Sequence, residues 1–128
     1  MIRVLLDTHA LVWWLEGREK LSAKARQVIE NEDTTVLISA ASAWELAIKA
    51  RLGKLRSREL SHGLEEQIQA EGFVPLPISI EHALRAGGLD STHKDPFDRM
   101  LAAQAQIEDV AVVSKDTAFD SFSVQRFW

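Results

Sequence analysis

Short apolar runs and helical patterns alternate along the chain. "IRVLL" (Ile2–Leu6), "TVLIS" (Thr35–Ser39) and "VAVVS" (Val110–Ser114) are continuous runs of strand formers rather than polar–apolar alternations. "FVPLPI" is another extended run, and its two prolines suit an edge strand. "FSVQRF" is a candidate fifth strand. Between them, "HALVWWLE" is apolar at helical spacing through Leu11, Trp14 and Leu15, with Gly17 expected as the residue after the cap. Ser22 is expected to cap a helix through about Asn31. "SAWELAIKARLGKL" reads as a helix with Ser42 as N-cap and Gly53 near its end. Another helix is expected over about Glu59–Glu71, ended by Gly72. Ser79 opens a short one that stops at Gly87-Gly88, and Asp95 opens the last, with Pro96 at its first position.

Strands without alternation are buried on both faces, which is the mark of a parallel sheet covered by helices. The expected fold is therefore α/β. It is a single domain over residues 1–128, with a mainly parallel central sheet of four to five strands and helices on both faces. Ligands of such sheets sit outside the carboxyl ends of the strands.

Four acids stand near those ends. Asp7 directly follows the first strand, and Asp116 follows the fourth after Ser114 and Lys115. Glu45 and Asp98 are expected in the first turns of their helices. Each has an ordinary explanation. Ser42-Ala-Trp-Glu45 fits a capping box. Asp98 suits the positive end of its helix beside the Asp95 cap. Asp7 and Asp116 suit turns. Together they point elsewhere, because two carboxylates about 5 Å apart repel by roughly 3 kcal/mol at an effective dielectric near 20. A cation between them would remove that cost. Oxygen ligands without a matched His or Cys set favour Mg²⁺ or Mn²⁺ over zinc. Such a site suits phosphodiester hydrolysis. Ala102 and Ala105 lie one and two turns beyond Asp98, so small residues would let this helix approach the sheet closely.

Composition narrows the setting. At 46% hydrophobic and 27% charged, the 128 residues read as a soluble globular domain. The absence of cysteine excludes a disulfide framework, a thiolate zinc site and a cysteine nucleophile, and it fits a reducing cytoplasm. Asp7 interrupts the apolar start, so no signal-peptide pattern is expected, and no apolar run reaches the ~20 residues of a membrane span. With a net charge of −4, any nucleic-acid role must rest on a local patch. "KARLGKLRSR" supplies one candidate: Lys49, Arg51, Lys54, Arg56 and Arg58, with no acid among them. The stretch reads equally as a solvated helix end or as a rail for an RNA backbone.

At these residues the chain resembles a known family. "LLDTHALVWWL", "SAASAWELAIKARLGKL", "HKDPFDRMLAAQA" and "VVSKDTAFD" are similar to the four acidic motifs of PIN-domain ribonucleases, specifically VapC-type toxins of bacterial toxin–antitoxin pairs. The resemblance spans nearly the whole chain. It implies a Mg²⁺- or Mn²⁺-dependent endoribonuclease that is usually a homodimer and is held inactive by a small antitoxin. It also implies that Asp7, Glu45, Asp98 and Asp116 are the catalytic, metal-holding acids. Thr8 and Ser114 match small hydroxyl positions that orient carboxylates or water, and Asp95 is the capping partner.

Other features weigh less. His9 and His93 read first as solvated or hydrogen-bonded structure. Trp13, Trp14 and Trp44 read as core or interface rather than base-stacking platforms. Two rivals remain. A phospho-acceptor signalling domain shares the parallel sheet and a late lysine, Lys115, but needs an acid after the third strand, where "FVPLPI" has none. A non-catalytic PIN-like module for RNA binding or partner docking would usually lack one of the four acids.

Overall fold

The computed structural model describes residues 2–54 and 63–128. Arg56, Arg58 and the expected helix start at Glu59 lie outside the described residues. Five strands form one sheet: β1 (Ile2–Leu6), β2 (Thr34–Ser39), β3 (Val74–Leu76), β4 (Ala111–Val113) and β5 (Arg126–Phe127). Their order is β3-β2-β1-β4-β5, and every pairing is parallel. The proline-bearing β3 is an edge strand, where a missing ladder donor costs least.

Adjacent residues of β1 serve opposite faces. Val4 and Leu6 join a core with Leu11 and Trp14 of α1 (Thr8–Glu16), Val28 and Ile29 of α2 (Ala23–Glu30), Leu46 of α3 (Ala40–Arg51), and Leu64 and Ile68 of α4 (Leu64–Ala70). Leu5 points the other way, with Leu37 and Val112, onto Leu101, Ala102 and Ala105 of α6 (Pro96–Glu108) and onto Phe119 and Phe122 of a 3₁₀ turn. Each fully buried Leu or Phe in these layers contributes roughly 1.5–3 kcal/mol. The remaining helix, α5 (Ile80–Gly88), packs along α6.

The local signals at Ser22, Ser79 and Asp95 place their caps where expected, each side chain accepting a backbone N–H of the first turn. Two differ. Gly17 is the C-cap of α1 itself, extended at φ −161°, and not a left-handed residue beyond it. Arg18 Nε reaches back to the Trp14 carbonyl at 2.9 Å and satisfies the helix end instead. The N-cap of α3 is Ser39, three residues before Ser42. Strand β2 runs straight into this helix, and the Ser39 hydroxyl accepts from the Ala41 N–H at 3.0 Å.

Two features seat α6 close to the sheet. Ala102 and Ala103 are fully buried, and Ala105 nearly so. Gln104, also fully buried, accepts from Ser39 Oγ at 2.5 Å and donates to the Pro77 carbonyl at 3.2 Å. Ala102→Leu should therefore lift the helix. The expected cost is about 1–3 kcal/mol of stability, read in a denaturant titration, with a further loss of whatever activity depends on Asp98. An Ala102→Leu protein as stable as the parent would show that the seat has slack.

Candidate active site

Order in the sheet reverses at β1, whose chain successor β2 lies on one side and β4 on the other. Asp7 stands at that point. It caps α1, with Oδ1 accepting from the Ala10 N–H at 2.8 Å, while Oδ2 accepts from Ser114 Oγ at 2.5 Å. Its own N–H donates to the Val113 carbonyl at 3.1 Å. The side chain is buried, and burial pushes its pKa upward. The bonds from Ser114 and Ala10 oppose that rise, and the nearby Asp98 carboxylate adds to it. Ser114 Oγ also accepts from the Asp116 N–H at 3.0 Å, so one hydroxyl fixes both strand-end acids. Asp116 is exposed and caps the 3₁₀ turn Thr117–Phe122 through the Ala118 N–H at 2.9 Å.

Asp98 approaches from α6. Asp95 does the capping, accepting from the N–H groups of Phe97 and Asp98 at 2.9 and 3.1 Å. This frees the Asp98 side chain, whose Oδ2 lies 2.8 Å from His93 Nε2. Burial again raises the pKa most; the His93 bond opposes, and the Asp95 and Asp116 carboxylates reinforce. Asp7 thus senses Asp98, and Asp98 senses Asp116. Three acids from three separate segments share one field.

Glu45 joins this end of the sheet differently. Because α3 starts at Ala40, Ser42 is not an N-cap and the Ser42–Glu45 capping box does not form. Ser42 is buried inside the helix and its Oγ accepts from Thr8 Oγ1 at 3.0 Å, tying α3 to the start of α1. Glu45 lies in the second turn and is paired with Lys49 Nζ at 3.1 Å. Among the described residues, no three His, Asp or Glu side chains are gathered as a ready ligand set. Of the basic stretch, Lys49 is held by Glu45, while Arg51 and Lys54 are exposed.

Arg99 was not legible as a site residue. Its guanidinium donates to five carbonyls, those of Ala86, Gly87, Leu89, Ser91 and His93, at 2.8–3.5 Å. It pins the loop between α5 and α6, and so sets the backbone from which His93 reaches Asp98. Only the adjacency Asp98-Arg99 hinted at it. The tryptophans separate. Trp14 is core, with the Arg18 guanidinium over its ring at 3.7 Å. Trp44 is 61% exposed, edge-on to Phe97. Trp13 lines a cleft of about 210 Å³ together with Asp7, His9, Lys115 and Asp116.

The strand order differs from the 2-1-3-4-5 arrangement of phospho-acceptor domains, and β3 leads into Pro77 rather than an acid. Residues 4–124 match the PIN domain. The chain belongs to the PIN-domain family. It is 31% identical over 120 residues to Ribonuclease VapC22 of Mycobacterium tuberculosis, covering 91% of this chain and 88% of that protein. A second relative from the same organism, Ribonuclease VapC16, is 37% identical over 76 residues, 57% of this chain and 54% of the relative. In three dimensions it resembles a chain of VapBC-1 from nontypeable Haemophilus influenzae, with TM-score 0.72, 19% identity, and coverage of 98% and 96%. VapBC2 from Rickettsia felis, bound to a DNA fragment from its promoter, aligns with TM-score 0.70, 14% identity, and coverage of 98% and 97%. At these identities the structural matches speak for the fold. Among the described residues, no helix is long and apolar enough to cross a membrane.

Proposed function

We propose that this chain is the endoribonuclease toxin of a toxin–antitoxin pair, hydrolysing RNA phosphodiester bonds with Mg²⁺ or Mn²⁺. The observation that carries the reading is that Asp7 and Asp98, from separate segments, come near enough at the strand ends of a PIN domain for the Asp98 carboxylate to raise the pKa of Asp7, with Asp116 tied to Asp7 through Ser114. The relatives named as ribonucleases support the RNA substrate. The donor chemistry fits a hard divalent cation, since it consists of carboxylates and hydroxyls with no thiolate. Asp7, Asp98 and Asp116 would hold the ion, joined by Glu45. When bound, it lowers the pKa of a water and balances charge on the leaving oxygen. The chain's own part is preorganisation. Ser114 and the Ala10 amide orient Asp7, His93 orients Asp98, and Lys49 holds the Glu45 carboxylate until it is engaged. Arg51 and Lys54 extend positive charge away from Glu45 for the RNA backbone.

The partner follows from the same reading. Structural neighbours include VapBC assemblies and a toxin–antitoxin complex from Klebsiella pneumoniae, which supports a small antitoxin as cognate partner. Ile80 and Leu84, one turn apart on α5 and 80% and 73% exposed, offer apolar surface for a homodimer or for that partner. Such a toxin acts in the cytoplasm, which the cysteine-free composition suits.

The test is cleavage of RNA by antitoxin-free protein. We expect cutting with Mg²⁺ or Mn²⁺ and none in EDTA. Undiminished cutting in EDTA would remove the metal from the reading. No cutting under any metal, with RNA still bound, would leave a non-catalytic RNA-binding PIN module.

A further inference from the structure

An aromatic row borders the acidic cleft. The exposed His9 ring lies 5.7 Å from Trp13, tilted by 32°, and Trp13 lies 5.9 Å from Trp128. His9 and Trp13 line the same cleft as Asp7, Asp116 and the exposed Lys115. Its volume, about 210 Å³, is roughly seven times the ~30 Å³ that a water occupies in the liquid, so it has room for a group larger than a few waters. Trp13 and Trp128 are partly buried and pack against the core. Trp14 on the same helix is buried in the core, whereas Trp13 is only half-buried. This indole instead reaches the cleft that holds two of the acids.

From this juxtaposition we infer that His9 and Trp13 form a base-stacking subsite. It takes one unpaired nucleobase of single-stranded RNA beside the bond to be cut, with Lys115 on the adjoining phosphate. The inference rests on the ribonuclease reading of the acids and names two side chains that position the RNA beside them. Stacking on aromatic side chains needs a base free of its own helix, so the site selects loops and single strands over duplex. Stacking tolerates any base, so the subsite sets secondary-structure preference more than sequence.

The test is binding in EDTA, read by anisotropy of a labelled short single-stranded RNA, the same sequence as a duplex, and the same strand with one abasic position. The parent should prefer the single strand by about ten-fold, and His9→Ala and Trp13→Leu should each weaken that binding by roughly five- to ten-fold. Trp13→Phe should recover most of the loss. Lys115→Gln should lower the salt slope by about one unit. Should the Trp13→Leu protein fail to fold, the exposed His9 and the conservative Phe variant decide. Equal binding of strand and duplex, or unchanged binding by folded variants, overturns the subsite. If the parent cleaves RNA while the variants bind normally, the subsite is wrong and the nuclease reading survives. If the variants lose single-strand binding while the parent never cleaves, the subsite survives and the nuclease reading falls.

Discussion

In metal-free buffer at neutral pH, Asp7→Asn and Asp98→Asn proteins should melt at or slightly above the parent, and yet, once metal is supplied, cut RNA about a thousand-fold more slowly or worse. Both halves follow from the same geometry. Asparagine keeps the cap on Ala10, because it is as good an N-cap as aspartate, and its amide can donate to Ser114 once that hydroxyl rotates. What is lost is a buried charge facing other charges. Both carboxyls have pKa values raised above 3.8, chiefly by burial. A carboxyl raised in this way holds its proton more tightly folded than unfolded. Its stability contribution is most favourable below 3.8, declines as pH climbs through the window up to the folded value, and stays unfavourable above it. Melting temperature of the metal-free parent should therefore fall across that window, and each Asn variant should flatten the fall. Added Mn²⁺ should reverse the order. A ligand at a hundred times its Kd stabilises by about 2.7 kcal/mol, and the variants should gain less than the parent. Variants that melt well below the parent in EDTA, respond equally to Mn²⁺ and still cut RNA would make these acids structural.

The parts of the fold that depend on local chemistry were legible. Apolar runs at Ile2–Leu6 and Thr35–Ser39 name β1 and β2 because strands buried on both faces need no polar alternation. The places of Asp7 and Asp116 were legible for a related reason: a residue just after a parallel strand must emerge at the carboxyl edge. The error at α3 shows the limit. Two serines three residues apart can both cap, and Ser42-x-x-Glu45 is the better local motif. The choice of Ser39 depends on distant partners, since Ser39 also bonds Gln104, 65 positions away, and Ser42 is taken by Thr8, 34 positions away. Glu45 thereby loses its structural explanation and takes Lys49 instead. His93 and Trp13 escape a reading of the sequence for the same kind of reason. Each looks ordinary there, and only packing sets one against Asp98 and the other against the acidic cleft.

Arg99 should prove the most sensitive basic residue of the described chain. Its fork closes the loop between α5 and α6 by gathering five carbonyls onto one side chain. Hydrogen bonds to a charged group are worth roughly 1.5–3 kcal/mol each, but these are partly exposed and share one side chain, so they do not add. Arg99→Met should cost about 2–4 kcal/mol, measured by denaturant unfolding. Arg99→Lys keeps the charge, yet a single ammonium cannot span the fork's geometry, so it should regain less than half of that loss. The consequence should reach the site. With the loop freed, His93 no longer holds Asp98, and amides between residues 88 and 95 should exchange with solvent faster than those of α6. Cleavage should fall further than stability alone explains, at temperatures where both variants remain fully folded. Full activity in a folded Arg99→Met protein, with loop exchange unchanged, would show that Asp98 is positioned by α6 alone.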